Sequence, residues 1–212
     1  MKRVFPDVWE TDIESPFPGL TTHAYLLTRD DGNVLFYNTG HRHEIEAMAE
    51  LGGVAYQFLS HQDELGDSLV RIHERFGTRL GGHVRERAEF TRYRSPDILF
   101  DDYETLGNIE VIPVPGHTPG STCCLVDSPT GQRYLFTGDT IYRNGDGRWK
   151  AGFIAGYSER EPLAASLDVL RRLEPDVVFS SAFAGDAGFE AMPRGGWGER
   201  VRHALDELNA AR

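Results

Sequence analysis

The residues best placed to do chemistry lie in three short stretches that end in turns. Pro115-Gly116-His117-Thr118-Pro119-Gly120-Ser121 hems one histidine between two glycines and two prolines, in the gap between an apolar run that ends at Val114 and another that begins near Thr122. A side chain held in this way is fixed at the end of a sheet, as a metal ligand must be. A tight hairpin with an incidental histidine is the plainer alternative. Leu135-Phe136-Thr137-Gly138-Asp139-Thr140 is an apolar strand that stops at a glycine and presents a carboxylate, which turn or cap chemistry would also explain. In Phe58-Leu59-Ser60-His61-Gln62-Asp63-Glu64 a buried strand ends at His61 just before a helix. That puts His61 and Asp63 at the C-terminal edge of a strand, the usual location of sites in open α/β layers. Asp63 and Glu64 would equally suit the first turn of a helix, where acids favour the helix dipole.

These stretches need a scaffold, and hydrophobic periodicity supplies it. Short strands are expected over residues 4–9, 23–28 and 33–37, the last two joined by Asp31-Gly32, a hairpin turn signal. Helical spacing appears in Ile45, Met48 and Leu51, closed by Gly52-Gly53, and in Leu65, Leu69, Ile72 and Phe76, closed by Gly77. Further strands are expected over residues 54–59, 79–80, 98–100, 106–114, 122–126, 134–136 and 176–180. Ser158 and Glu161 stand at capping-box spacing before Leu163, Leu167 and Leu170, with Pro175 ending that helix, and Val201, Leu205 and Leu208 mark a terminal one. Strands first, then helices alternating with strands, fit two sheets with helices outside them better than one doubly wound sheet.

Composition narrows the functional classes. Of 212 residues, 40% are hydrophobic and 26% charged, as in an ordinary globular chain, and one domain spanning 1–212 is expected. With 33 acidic against 22 basic side chains the net charge is −11, and a phosphate backbone, which needs a basic stripe, is excluded as a partner. No long apolar run suits a membrane and no leader pattern stands at the N-terminus, so a cytoplasmic protein is expected. Cys123 and Cys124 are adjacent on a strand, where side chains alternate in direction, so they do not pair with each other.

The order Ser60-His61 after a strand, PGHTPGS over residues 115–121 and TGDT over 137–140, preceded by AYLL over 24–27 and YNTG over 37–40, resembles the metallo-β-lactamase-fold hydrolase superfamily. The resemblance covers nearly the whole chain and implies a four-layer αββα sandwich with a metal site along the sheet edges. The family's first metal motif is His-x-His-x-Asp-His, and here His61, Asp63, Leu65 and Gly66 occupy those four places. Its last ligand is a late histidine, where this chain has Ser180-Ser181-Ala182-Phe183. Every ligand private to the family's second metal is therefore missing. His61, His117 and Asp139 remain at the first site, with Asp63 in place of a histidine.

At most one divalent ion is expected, held by His61, Asp63, His117 and Asp139. Nitrogen and oxygen donors without sulfur suit zinc, whereas two histidines and one carboxylate also form the facial set of non-haem iron. Two carboxylates would neutralise a divalent ion and weaken its acidification of bound water. The implied activity is hydrolysis of an ester, thioester or amide-type small molecule, with Asp63 and Glu64, or Asp67, as candidate general bases. Two alternatives stand beside it: a mononuclear iron oxygenase, and a metal-free binding or interaction module on the same fold. His23 and His41 border the cleft in the resembled fold, and Tyr142 and Trp149 follow TGDT as candidate pocket walls, with Arg143 between them. His43, His73, His83 and His203, and the run Arg85-Glu86-Arg87, are expected on solvated faces.

Overall fold

Strands that are apolar on both faces must be covered on both, and this chain has several. Tyr25–Leu27, Val34–Phe36 and Val177–Phe179 are buried throughout, and Thr122–Asp127 is buried at all but its last residue. The computed structural model describes residues 1–210. A seven-stranded sheet runs in the order Lys2–Phe5, Val8–Glu10, Tyr25–Leu27, Val34–Phe36, Tyr56–Phe58, Arg79–His83 and Ile98–Phe100. Its first four strands are antiparallel and the remaining pairings parallel. A six-stranded sheet follows the order Glu104–Leu106, Ile109–Pro113, Thr122–Asp127, Arg133–Phe136, Val177–Phe179 and Phe189–Ala191.

The two sheets face each other across an aromatic core. Phe36 of the first sheet stacks on Phe136 of the second with ring centroids 3.9 Å apart, and Phe136 stacks in turn on Phe179 at 4.8 Å. Helices α1 (Arg42–Glu50), α2 (Ser68–Phe76) and α3 (Arg87–Phe90) cover the first sheet through Ile45, Met48, Leu69, Ile72 and Phe90. Helices α4 (Arg160–Leu170) and α5 (Gly196–Ala210) cover the second, where Leu163, Leu167, Trp197 and Val201 pack on Val114, Cys123, Leu125 and Val178. The result is the αββα sandwich that the resemblance implies.

Several local expectations change in three dimensions. Residues 4–9 form two strands that turn at Pro6-Asp7, because the Asp7 carboxylate is drawn in to accept from Ser128 Oγ (2.6 Å) and Tyr134 OH (2.8 Å). Residues 106–114 likewise divide at Gly107, whose φ of +66° an ordinary strand residue would not adopt. The capping box at Ser158 does not form. Helix α4 starts at Arg160, and Ser158 Oγ instead donates to His117 O (3.0 Å) and accepts from Ile154 N (3.0 Å). Glu86 and His83, expected in solvent, are buried: Glu86 Oε1 accepts from Gly120 N (3.0 Å), and His83 Nδ1 accepts from Arg85 N (3.1 Å). A third sheet, in the order Trp149–Ala151, Ile141–Arg143, Ala182–Phe183, Leu20–Thr22 and Glu14–Phe17, joins early and late segments that no periodicity announces.

Candidate metal centre

Three loops at one end of the sandwich bring the chemical residues together. Tyr56–Phe58 feeds Ser60 and His61, whose backbone is extended (φ −167°, ψ 171°) before a short 3-10 turn over Gln62–Glu64. The PGHTPGS loop joins two antiparallel neighbours, Ile109–Pro113 and Thr122–Asp127, and lies against the start of α4. Gly116 there has φ +135°, and a Cβ on it would stand 2.2 Å from Leu163 N. Only glycine meets both conditions. TGDT follows Arg133–Phe136, with Gly138 at φ +55° pressed on Ser60, so that a Cβ would lie 2.0 Å from its hydroxyl. Tyr37 of YNTG, itself at φ +70°, ties this corner by accepting from Gly138 N (2.9 Å) and donating to Phe179 O (3.0 Å).

Inside these loops His61, Asp63, His117 and Asp139 face one another. His61 Nε2 lies 3.6 Å from Asp139 Oδ2 and 3.8 Å from Asp63 Oδ2; His117 Nε2 lies 4.0 Å and 3.6 Å from the same two oxygens. The two rings are 4.7 Å apart at 79°. Each group is turned by a partner on its far side. His117 Nδ1 donates to Gly152 O (2.6 Å). His61 Nδ1 donates to Ser60 Oγ (2.8 Å), which passes its own proton to Glu64 Oε1 (2.5 Å). Asp139 Oδ1 accepts from Ser181 Oγ and Ala182 N, both at 2.9 Å, and Asp63 Oδ1 accepts from Tyr157 OH at 2.5 Å.

With both Nδ1 atoms donating, each ring in its neutral form turns its Nε2 lone pair inward, and among the described residues both Nε2 atoms are buried with no hydrogen-bond partner. Two imidazole lone pairs and two carboxylate oxygens turned toward one another repel unless a cation sits among them, so the donor set fits a divalent metal ion. The titration behaviour reports the same pull on a cation: without a metal, the carboxylates favour a proton on His61. Burial alone would lower the pKa of His61, yet Glu64 and Asp139 hold it well above the usual imidazole range. Burial alone would raise Asp139 and Asp63, yet the neighbouring histidines, together with Tyr157 for Asp63, keep both carboxyls below theirs.

The other expected site residues divide. Glu64 turns inward, but its Oε2 accepts from Ser60 N (2.8 Å) and its Oε1 from Ser60 Oγ, behind the Nδ1 side of His61, so it positions that ring instead of offering a free base. Asp67 lines the cleft, exposed. His23 also lines it, stacked 5.0 Å from Phe183, with Nε2 4.0 Å from Glu10 Oε2. His41 lies outside the cleft, its Nε2 held by Ile13 O (3.1 Å). Tyr142 sits in the third sheet and does not reach the cleft either. Trp149 is core instead of pocket wall: it is 3% exposed, packs 5.4 Å from Trp197 and donates Nε1–H to Glu190 (2.7 Å). Tyr157 and Ser181, which no local motif marks, are the side chains that the tertiary structure adds.

Nothing at the second-metal places offers a donor side chain. Leu65 packs with Leu59, Leu69, Leu80 and Phe90; Gly66 lies against the Asn38 amide; and Ala182 gives only its backbone N–H, to Asp139.

The profile of the Metallo-beta-lactamase superfamily matches residues 37–182, which include all four of these side chains. The chain belongs to that superfamily. A hydroxyacylglutathione hydrolase of Albidiferax ferrireducens is 29% identical over 170 residues, 77% of this chain, and this superfamily member spans only 62% of that relative's length. Among solved structures, a metallo-beta-lactamase from Pontibacter korlensis superposes with TM-score 0.72 at 16% identity, over 98% of this chain and 97% of that one. A further structure, solved in a di-iron-bound form, matches with TM-score 0.66 at 19% identity over 90% of this chain and 98% of that one. At such identities the structural likeness speaks for the metallo-beta-lactamase fold alone.

Proposed function

We propose that this chain is a hydrolase holding one divalent ion among His61, Asp63, His117 and Asp139 and cleaving an ester, thioester or amide-type small molecule, with zinc as the metal. The observation that carries this reading is the pair of buried, unpartnered Nε2 atoms turned toward two carboxylates. The relative named for hydrolysing an acylated glutathione supports the reaction class.

A divalent ion held there would polarise a carbonyl and acidify a water. The protein's own groups do the rest. Gly152 O fixes the tautomer of His117, the Ser60–Glu64 pair fixes that of His61, and Ser181 with Ala182 N turns Asp139 Oδ2 toward the histidines. Asp63, with a side chain 42% exposed, opens onto the cleft and turns Oδ2 toward both histidines as a metal donor.

Elemental analysis of protein purified without chelator should give at most one transition-metal ion per chain, and a reproducible two would overturn the reading. A preparation that takes up no metal would favour the metal-free module. One observation favours iron as a second reading: of the four site residues, His61, His117 and Asp139 form a group whose donor atoms all lie within 4.8 Å of one another, the two-histidine, one-carboxylate set. Iron in that analysis, with oxygen uptake, would select it.

Tyr157→Phe tests the role of Asp63. It removes the hydroxyl that holds Oδ1 and is expected to weaken zinc affinity about 10- to 100-fold, as losses of such supporting hydrogen bonds do. Chelator competition measures it, and an unchanged affinity would show that Asp63 does not depend on Tyr157.

A further inference from the structure

The cleft that begins at the metal centre has a volume of about 1210 Å³ and continues past Gly66 and Ser68 to Arg71, on α2, and to Arg92 and Tyr93. Its carboxylates are mostly committed. Glu14 accepts from Thr39 Oγ1 and Gly40 N, Glu64 from Ser60, Asp63 from Tyr157, and Asp139 from Ser181 and Ala182. Glu89 pairs with Arg92 at 2.6 Å.

Three arginines nearby in sequence are committed too. Arg75 pairs with Glu46, Arg94 with Asp97, and Arg79 lies over the Tyr56 ring. Arg71 differs. It is half-buried, lines the cleft, and among the described residues makes neither an ion pair nor a side-chain hydrogen bond, not even with exposed Asp67 one turn earlier. A half-buried guanidinium without a partner, in a protein of net charge −11, is open to a counter-ion from outside the chain.

Of the six large hydrophobic side chains that are exposed among the described residues, Tyr93, Ile154 and Tyr157 also line this cleft. They give an apolar surface to the cleft that Arg71 also lines.

Resting on the hydrolase reading of the cleft, we propose that its substrate is a monoanion, an ester or thioester whose acyl chain carries a carboxylate that pairs with Arg71. One guanidinium among several carboxylates suits a single planar carboxylate, which it can grip with two parallel hydrogen bonds. A phosphate dianion would meet more repulsion from Asp63, Asp67 and Glu64 than one arginine offsets.

The test uses the metal-loaded protein and two matched substrates, para-nitrophenyl hexanoate and the para-nitrophenyl monoester of adipic acid. They share chain length and leaving group and differ only in a terminal methyl or carboxylate. The adipate ester should be the better substrate through a lower KM, and Arg71→Met should lower its kcat/KM about tenfold more than that of the hexanoate. Arg71→Lys, which keeps the charge but not the fork, should fall between. Calorimetry with the monoamide of adipic acid and with hexanamide, which differ only in the terminal carboxylate or methyl, gives a readout independent of turnover, and Arg71→Met should weaken binding of the acid about tenfold more than that of hexanamide. Equal losses for both ligands, or none for either, would overturn the role of Arg71. Should neither ester be cleaved by the unsubstituted protein, it is the hydrolase reading that fails, and the calorimetric comparison still decides Arg71.

Discussion

His117→Ala should bring turnover of any ester, thioester or amide substrate down to background and strip the protein of bound metal. The substitution removes one of only two nitrogen donors, and the remaining set of His61 and two carboxylates leaves a gap on the side of the PGHTPGS loop. Affinity should therefore fall by more than the roughly 10- to 100-fold that loss of a supporting partner costs. Stability should suffer much less. The lost bond is that from Nδ1 to Gly152 O, and Ser158 Oγ, 3.4 Å from the same carbonyl, remains as a partner, so about 1–2 kcal/mol is expected. Metal analysis, a substrate assay and a denaturant titration on the same preparation check all three effects. Full activity in a folded variant that no longer binds metal would place the chemistry elsewhere in the cleft, with His23 as the next residue to replace.

A large stability loss is expected next to His117, at Gly116→Ala. At φ +135° an L residue carries strain of about 1–3 kcal/mol, and the new methyl group would meet the first turn of α4 at Leu163 N, 2.2 Å away, adding about 1–3 kcal/mol of overpacking. A total of about 2–6 kcal/mol follows, enough to unfold a marginal domain in mild denaturant. Whatever remains folded should bind metal poorly, since His117 moves with the loop. Gly131→Ala is the internal control. Gly131 also has positive φ, at +88°, but nothing lies within 4 Å of its Cβ position, so only the strain applies and about 1 kcal/mol is expected. Equal losses at the two positions would mean that the contact with α4 is not what makes Gly116 necessary.

Much of the fold was legible because its signals are local. Asp31-Gly32 does join adjacent antiparallel strands, with Gly32 at φ +96°, and the apolar periods at Ile45 and Met48 and at Leu163, Leu167 and Leu170 do form buried helix faces. The third sheet was not legible. Its strands are two to four residues long and pair segments as distant as Thr22 and Ala182, so neither the two-residue period nor turn chemistry had room to show.

For the site, the sequence alone determined the donor types, the loops that carry them and the gaps at Leu65, Gly66 and Ala182, because glycine and proline spacing shapes a loop and a side chain without a donor atom cannot acquire one. Tertiary structure decided which way each donor turns. Glu64 and Asp63 are neighbours with the same chemistry, yet packing sends one behind His61 to Ser60 and leaves the other facing His117. Tyr157 reaches Asp63 across 94 positions and Ser181 reaches Asp139 across 42, distances at which a hydrogen-bond partner leaves no trace in local spacing. Trp149 and Glu86 show the same limit from the other side. In its own segment Trp149 reads as a pocket wall and Glu86 as solvent-facing, and each is buried because a distant element, α5 for one and the Gly120 turn for the other, closes over it. A residue's type is a property of its position in the chain, whereas its direction is set by whatever packs against it, and in this protein that neighbour is usually far away in sequence.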